Sequence, residues 1–165
     1  MSFPICPELE LLNRVNKELS NLYHEIALRL NLSDSAFDVF YAICILGDGC
    51  LQRDICDVSY LSKQTIHSSI RRLEQEGYLT LASGRGRSRH ICLTLSGQVL
   101  VRERILPVIA AEQDSLADLP PEDCQALIRL QARYAASLRQ RSQALPVFGP
   151  LSRQAERSQN GNPAL

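Results

Sequence analysis

Tryptophan is absent from this chain, methionine occurs once, and aromatic residues make up 5% of its 165 positions. So little aromatic content in a leucine-rich chain leans toward helices rather than an all-β fold. No apolar run reaches the roughly 18 residues that span a membrane. The longest, AFDVFYAICIL, is broken by Asp38. The opening MSFPICPELE has neither the basic nor the apolar segment of a secretory signal. The expected location is the cytoplasm, with no membrane partner.

The six cysteines, at 6, 44, 50, 56, 92 and 124, include no C-x-x-C pair, and the three histidines are scattered. That spacing argues against a zinc site. Without a secretory signal a disulfide framework is equally unexpected. Most of the cysteines read as small core residues. A Gly-rich phosphate loop, a Ser/His/Asp set in a recognisable context and a cleft-forming pair of acids are also missing. The expectation is a protein that is not an enzyme, binds no metal and uses no cofactor.

Net charge is missing too, but only on average: 18 basic residues face 18 acidic ones. Residues 1–59 carry 4 basic and 9 acidic side chains, a balance of −5. Residues 60–90 carry Lys63, Arg71, Arg72, Arg85, Arg87 and Arg89 against Glu74 and Glu76, a balance of +4. Residues 91–165 carry 8 and 7, a balance of +1. A local positive field in a neutral chain is either a solvated patch or a surface that contacts phosphate.

What is present is periodic. Leu12, Val15, Leu19, Leu22 and Ile26 recur at alternating spacings of 3 and 4, an amphipathic helix from about Glu8 to Leu30 with a coiled-coil-like seam. Ser33 and Asp34 can cap a second helix that runs to Leu46 and ends at Gly47-Asp48-Gly49. A short helix over 51–58, a turn, and a helix from Lys63 to Glu76 capped by Ser62 follow. The period then changes from 3.6 to 2 in YLTLA and HICLT, which predicts a β-hairpin with SGRGRSRH at its tip. Helical pattern resumes near Ser96, with Pro107 expected to kink it. A last helix starts at Pro121 and shows Cys124, Leu127, Leu130, Tyr134 and Leu138 on one side. The segment 146–165 reads as a disordered tail.

Helix, helix, short helix, turn, helix, hairpin is the order of a winged helix-turn-helix. Only the major groove is wide enough for a helix and carries a full base code. With Ile66, Ile70 and Leu73 turned inward, Gln64, Ser68, Arg71 and Gln75 point outward, with Thr65, His67 and Arg72 on the flanks. Gln and Arg can read adenine and guanine edges bidentately. Ser62, Thr65 and Ser68 can bind phosphate or bases, and Lys63 adds a backbone contact. Small residues at 65, 68 and 69 let the helix approach the groove floor. In the wing, Arg85 and Arg87 are candidates for minor-groove or phosphate contact, and Arg89 for phosphate.

These residues resemble the MarR family of bacterial transcription regulators, from about Asn31 to Leu138. The resemblance is strongest in LSKQTIHSSIRRLEQEGYLTL and CLTLSGQVL. Arg72, Leu73, Glu74 and Gly77 match the family's recognition-helix pattern, and Leu93, Thr94 and Gly97 its exit from the wing. One departure stands out. Many members carry an aspartate two residues before the wing arginine, and Arg85 occupies that position ahead of Arg87.

The resemblance implies one MarR-like domain over 1–145. It consists of a winged lobe at 31–95 and dimerisation helices at 8–30 and 96–143. It also implies a homodimer, in which Leu12, Val15, Leu19 and Leu22 join Leu127, Leu130 and Tyr134 in the interface. An intramolecular helical core is the alternative for those apolar faces. The expected fold class is mainly α with a small β-hairpin. The expected function is sequence-specific binding of double-stranded DNA by a transcriptional repressor on a pseudo-palindromic operator. Half-sites would lie roughly 34–36 Å apart. Release would follow a small aromatic ligand or an oxidant, for which Cys6, in the N-terminal arm, is the candidate thiol. The alternative is a winged-helix dimer that serves as a protein-interaction module.

Overall fold

A computed structural model of the chain describes residues 4–83 and 89–145. The expected tail at 146–165 lies outside the described residues, as do the wing arginines Arg85 and Arg87.

Helix α1 spans Pro7–Arg29, with proline in its first turn and Glu8 and Glu10 at its positive end. It stops in a Schellman arrangement. Asn31 takes φ 57°, its N–H donates to Leu28 O at 2.9 Å, and Leu32 N–H donates to Ala27 O at 2.9 Å. Asparagine tolerates this left-handed turn better than other residues with a side chain. Helix α2, Asp34–Leu46, begins at once, and Ala36 N–H donates to the Ser33 hydroxyl at 3.2 Å. Its Ala36, Phe37, Val39, Phe40, Ala42 and Ile43 are all buried. A helix so widely apolar has to be surrounded, and α2 is the central element of the lobe.

The next segment corrects the expectation from sequence. Cys50–Leu51 is a two-residue strand, β1. It pairs antiparallel with β3, Arg89–Leu93, which pairs on its other side with β2, Leu79–Ser83. The wing is therefore a three-stranded sheet in the order β1-β3-β2, not a bare hairpin. Between β1 and β2 lie α3, Gln52–Val58, and α4, Lys63–Gln75. Gly77, at φ 80°, ends α4 in a second Schellman turn, with Tyr78 N–H donating to Leu73 O at 2.9 Å.

The core of the lobe joins all these elements. Phe40, Ile43, Ile55, Ile66, Ile70, Leu73, Leu79, Ile91 and Ile105 are essentially inaccessible. The Phe40 and Tyr78 rings meet edge to face at 6.1 Å. Each buried Ile or Leu on α4 contributes about 1.5–3 kcal/mol, which fixes which face of that helix is left for solvent.

Helix α5, Leu95–Leu100, runs into a π-helical turn at Val101–Ile105 and then into α6, Leu106–Ala117. The irregularity expected at Pro107 thus takes the form of a widened turn just before it. Proline has no N–H to donate, and its ring crowds the carbonyl four residues back. Helix α7 spans Pro121–Gln143 and contains no buried residue. By packing, residues up to Ala111 form one compact unit and those from Glu112 a second. The architecture is that of a mainly helical winged helix-turn-helix. Among the described residues no helix is long and apolar enough to cross a membrane.

Candidate nucleic-acid interface

Helix α4 is set by its inner face. Ile66, Ile70 and Leu73 are buried, and so is Ser69, whose hydroxyl donates to the Ser35 hydroxyl at 2.7 Å. Ser69 therefore pins α4 to α2 and is not one of the small residues that would approach a groove, contrary to the reading from sequence. Gln64, Ser68, Arg71 and Gln75 are exposed on the opposite side. Neither Lys63 nor Arg71 is engaged in an ion pair among the described residues.

The first turn of α4 is well ordered by its own side chains. Ser62 Oγ accepts Thr65 N–H at 3.1 Å and meets Thr65 Oγ1 at 2.8 Å. Ser68 donates back to Gln64 O at 3.0 Å and Thr65 O at 2.9 Å. The Ser68 proton is thus already used, whereas the Ser62–Thr65 pair, in which one hydroxyl donates to the other, keeps one proton and several lone pairs for incoming groups. His67 sits on one flank, its Nδ1 3.2 Å from the side-chain amide of Gln52 on α3. That cross-helix contact was invisible in the sequence.

Arg72 occupies the other flank and pairs with Glu76 at 2.8 Å. It lines a cleft of about 390 Å³ with Ser33, Glu76, Tyr78 and Arg104. Arg104 donates to Leu30 O at 3.0 Å. Of the arginines read from sequence as contact residues, Arg71 lies on the outward face of α4, and Arg72 is exposed on its flank, paired with Glu76 at the edge of the cleft.

The wing is anchored by residues that the sequence reading treated only as a helix stop. Asp48 accepts Leu93 N–H at 2.7 Å, Gly49 N–H donates to Ile91 O at 2.9 Å, and His90 Nδ1–H donates to Gly49 O at 2.7 Å. Arg89 is exposed at the start of β3, opposite Ser83. Arg85 and Arg87 lie in the undescribed tip between these two residues.

The apolar faces expected to pair between chains are each open to solvent. On α1, Val15, Leu19 and Leu22 are exposed and Leu12 is partly buried. On α7, Leu127, Leu130 and Tyr134 are exposed. Cys6 is exposed. Burial raises the pKa of the Cys44 and Cys56 thiols and pushes Cys50 up from 9.0 to about 11. Among the described residues no group of three or more His, Cys, Asp or Glu side chains could hold a metal ion.

Fold and surface together define a winged helix-turn-helix protein with a polar, partly basic outer face on its second helix. Residues 30–89, most of the lobe, match the model of the MarR family. None of the curated proteins matches the chain by sequence. Among solved structures it is similar to a MarR family regulator from Neisseria meningitidis. That pair is 18% identical, with a TM-score of 0.70 over 85% of this chain and 100% of the other. It is also similar to the S. aureus MepR–DNA complex, at 19% identity and TM-score 0.62 over 82% and 99% of the two chains. The PcaV transcriptional regulator from Streptomyces coelicolor, solved with its natural ligand, is 18% identical with a TM-score of 0.62, over 82% and 99%. At these identities the likeness establishes the fold.

Proposed function

We propose that this protein is a DNA-binding transcriptional regulator that inserts α4 into the major groove and lays its wing along the neighbouring backbone. The observation that carries the reading is the outward face of α4. Gln64, Ser68, Arg71 and Gln75 stand exposed on a helix whose inner face is locked by four buried side chains. Glutamine and arginine are base readers. A protein-docking helix would instead present exposed aromatic or aliphatic anchors, and this face has none. MepR, with the same fold, was solved on DNA.

In the finer form of the proposal the regulator is a cytoplasmic homodimer, joined through the apolar faces of α1 and α7. It represses by occupying a pseudo-palindromic operator with one lobe on each half-site. Release comes from a small aromatic ligand or from oxidation at Cys6; PcaV, with the same fold, was solved with its natural ligand. The test is a gel shift and footprint on the DNA upstream of the protein's own gene across a salt series. Protection of two half-sites about one turn apart, with affinity falling steeply as salt rises, is the expected result. Absence of any protected sequence and a weak salt slope would refute it.

A further inference from the structure

Tyr60 stands 100% exposed in the turn between α3 and α4. Tyrosine ordinarily covers its ring or gives its hydroxyl a partner. Among the described residues Tyr60 does neither.

The backbone around it is fixed. Ser59 N–H donates to Ile55 O at 2.9 Å, and the Ser59 hydroxyl donates to the Asp38 carboxylate. Leu61 packs against the core. Ser62 caps α4. The exposure of Tyr60 is therefore not that of a loose loop, because residues anchored on both sides hold a bare phenol outward.

Position selects the partner. Tyr60 lies two residues before the cap of α4, beside Lys63 and Gln64, where the outward face begins. From Val58 to Leu73 the chain has three basic residues and no acidic one, and the nearest acid before it is Asp57 at the end of α3. A phenol amid positive charge suits a polyanion. It is a neutral donor, and its flat ring can lie on a sugar without the desolvation cost of a buried charge.

We propose that Tyr60 contacts the backbone of duplex DNA. Its hydroxyl donates to a phosphate oxygen at the edge of the groove that α4 enters, and its ring rests on the adjoining sugar. This inference rests on the DNA-binding reading above. Such a contact carries no sequence information and instead fixes the register in which Gln64 and Arg71 meet the bases.

The test uses the full chain and a fluorescein-labelled duplex from upstream of its gene. Tyr60→Phe removes only the hydroxyl and should weaken binding about fivefold, as loss of one hydrogen bond does. Tyr60→Ala should weaken it further. Because Tyr60 is neutral, the slope of log affinity against log salt should not change, unlike the loss of a cation. Thermal unfolding should be unaltered in both variants. The chain has no tryptophan, so Tyr60→Trp adds a single reporter whose emission should be quenched on addition of the unlabelled duplex. Unchanged Trp emission at saturating duplex would overturn the proposal, as would wild-type affinity in both Tyr60→Phe and Tyr60→Ala. Failure of the wild-type chain to bind the duplex at all would instead overturn the DNA-binding reading beneath it.

Discussion

A Cβ placed on Gly97 would come within 2.2 Å of the backbone carbonyl oxygen of Tyr78. The start of α5 is thus pressed against the entry to β2. Thr94 completes the junction, its hydroxyl donating to Gly77 O at 2.7 Å and accepting Gly97 N–H at 3.1 Å. The obstacle is backbone, so nothing can rotate aside. Gly97→Ala is expected to lower unfolding stability by about 1–3 kcal/mol, the range for overpacking. Thr94→Val, which removes a helix cap, should cost about 1–2 kcal/mol. Urea denaturation of both variants checks this. A wild-type midpoint for Gly97→Ala would show that the two segments separate easily.

The outward face of α4 should divide into readers and anchors. Gln64→Ala or Arg71→Ala should change which bases are preferred, at about 1–3 kcal/mol per lost bidentate contact. Lys63→Ala should weaken binding to all sequences alike and reduce the salt slope by about 1. Arg85→Ala with Arg87→Ala should flatten it by about 1–2. Selection from a randomised duplex library separates the two effects. If Gln64→Ala leaves the selected motif intact, Gln64 is not a reader.

The open apolar faces predict self-association. Leu19 and Leu130 are 45% and 55% exposed within the single chain, so a charge at either position should leave the chain folded. Leu19→Asp or Leu130→Asp is expected to convert a dimer to a monomer in sedimentation velocity, and to weaken operator binding by losing the second lobe. A wild-type chain that sediments as a monomer at micromolar concentration would refute this.

The thiols should differ in reactivity. Alkylation requires the thiolate. Cys6 is exposed, whereas burial holds Cys50 protonated until pH reaches about 11. At pH 8, iodoacetamide should modify Cys6 first and Cys50 last, as read by mass spectrometry of digests. The linkage has a sign. A thiol whose pKa rises on folding from 9.0 to about 11 adds nothing pH-dependent below 9 and withdraws stability as pH climbs from 9 to 11. Early labelling of Cys50 would mean that β1 opens readily.

Helices α1, α2, α4 and α7 were legible because each buries or presents a stripe at the helical period. The β2–β3 pair was legible because Leu79 and Leu81 alternate with polar neighbours as Ile91 and Leu93 do. β1 was not, since two residues carry no period and their partners lie far along the chain. The candidate site was legible in outline for the same reason as α4. Its details were not. Whether Ser69 turns toward Ser35, Arg72 toward Glu76 or His67 toward Gln52 depends on what another element places opposite, and the helical period does not encode that. The full exposure of Tyr60 is not encoded in the period either, because burial in a turn is decided by its surroundings.

The bond between His90 and Gly49 spans 41 residues, and that between Leu93 and Asp48 spans 45. Both α3 and α4 lie inside the ring these bonds close. Closing a flexible loop of that length costs roughly 3 kcal/mol in chain entropy. The β2–β3 hairpin can form early from local contacts, but β1 can join it only after the helices between them have docked. Amide exchange at Gly49 and Leu93 should therefore be among the slowest in the lobe. Their opening would report unfolding of the whole lobe and not fraying of one strand.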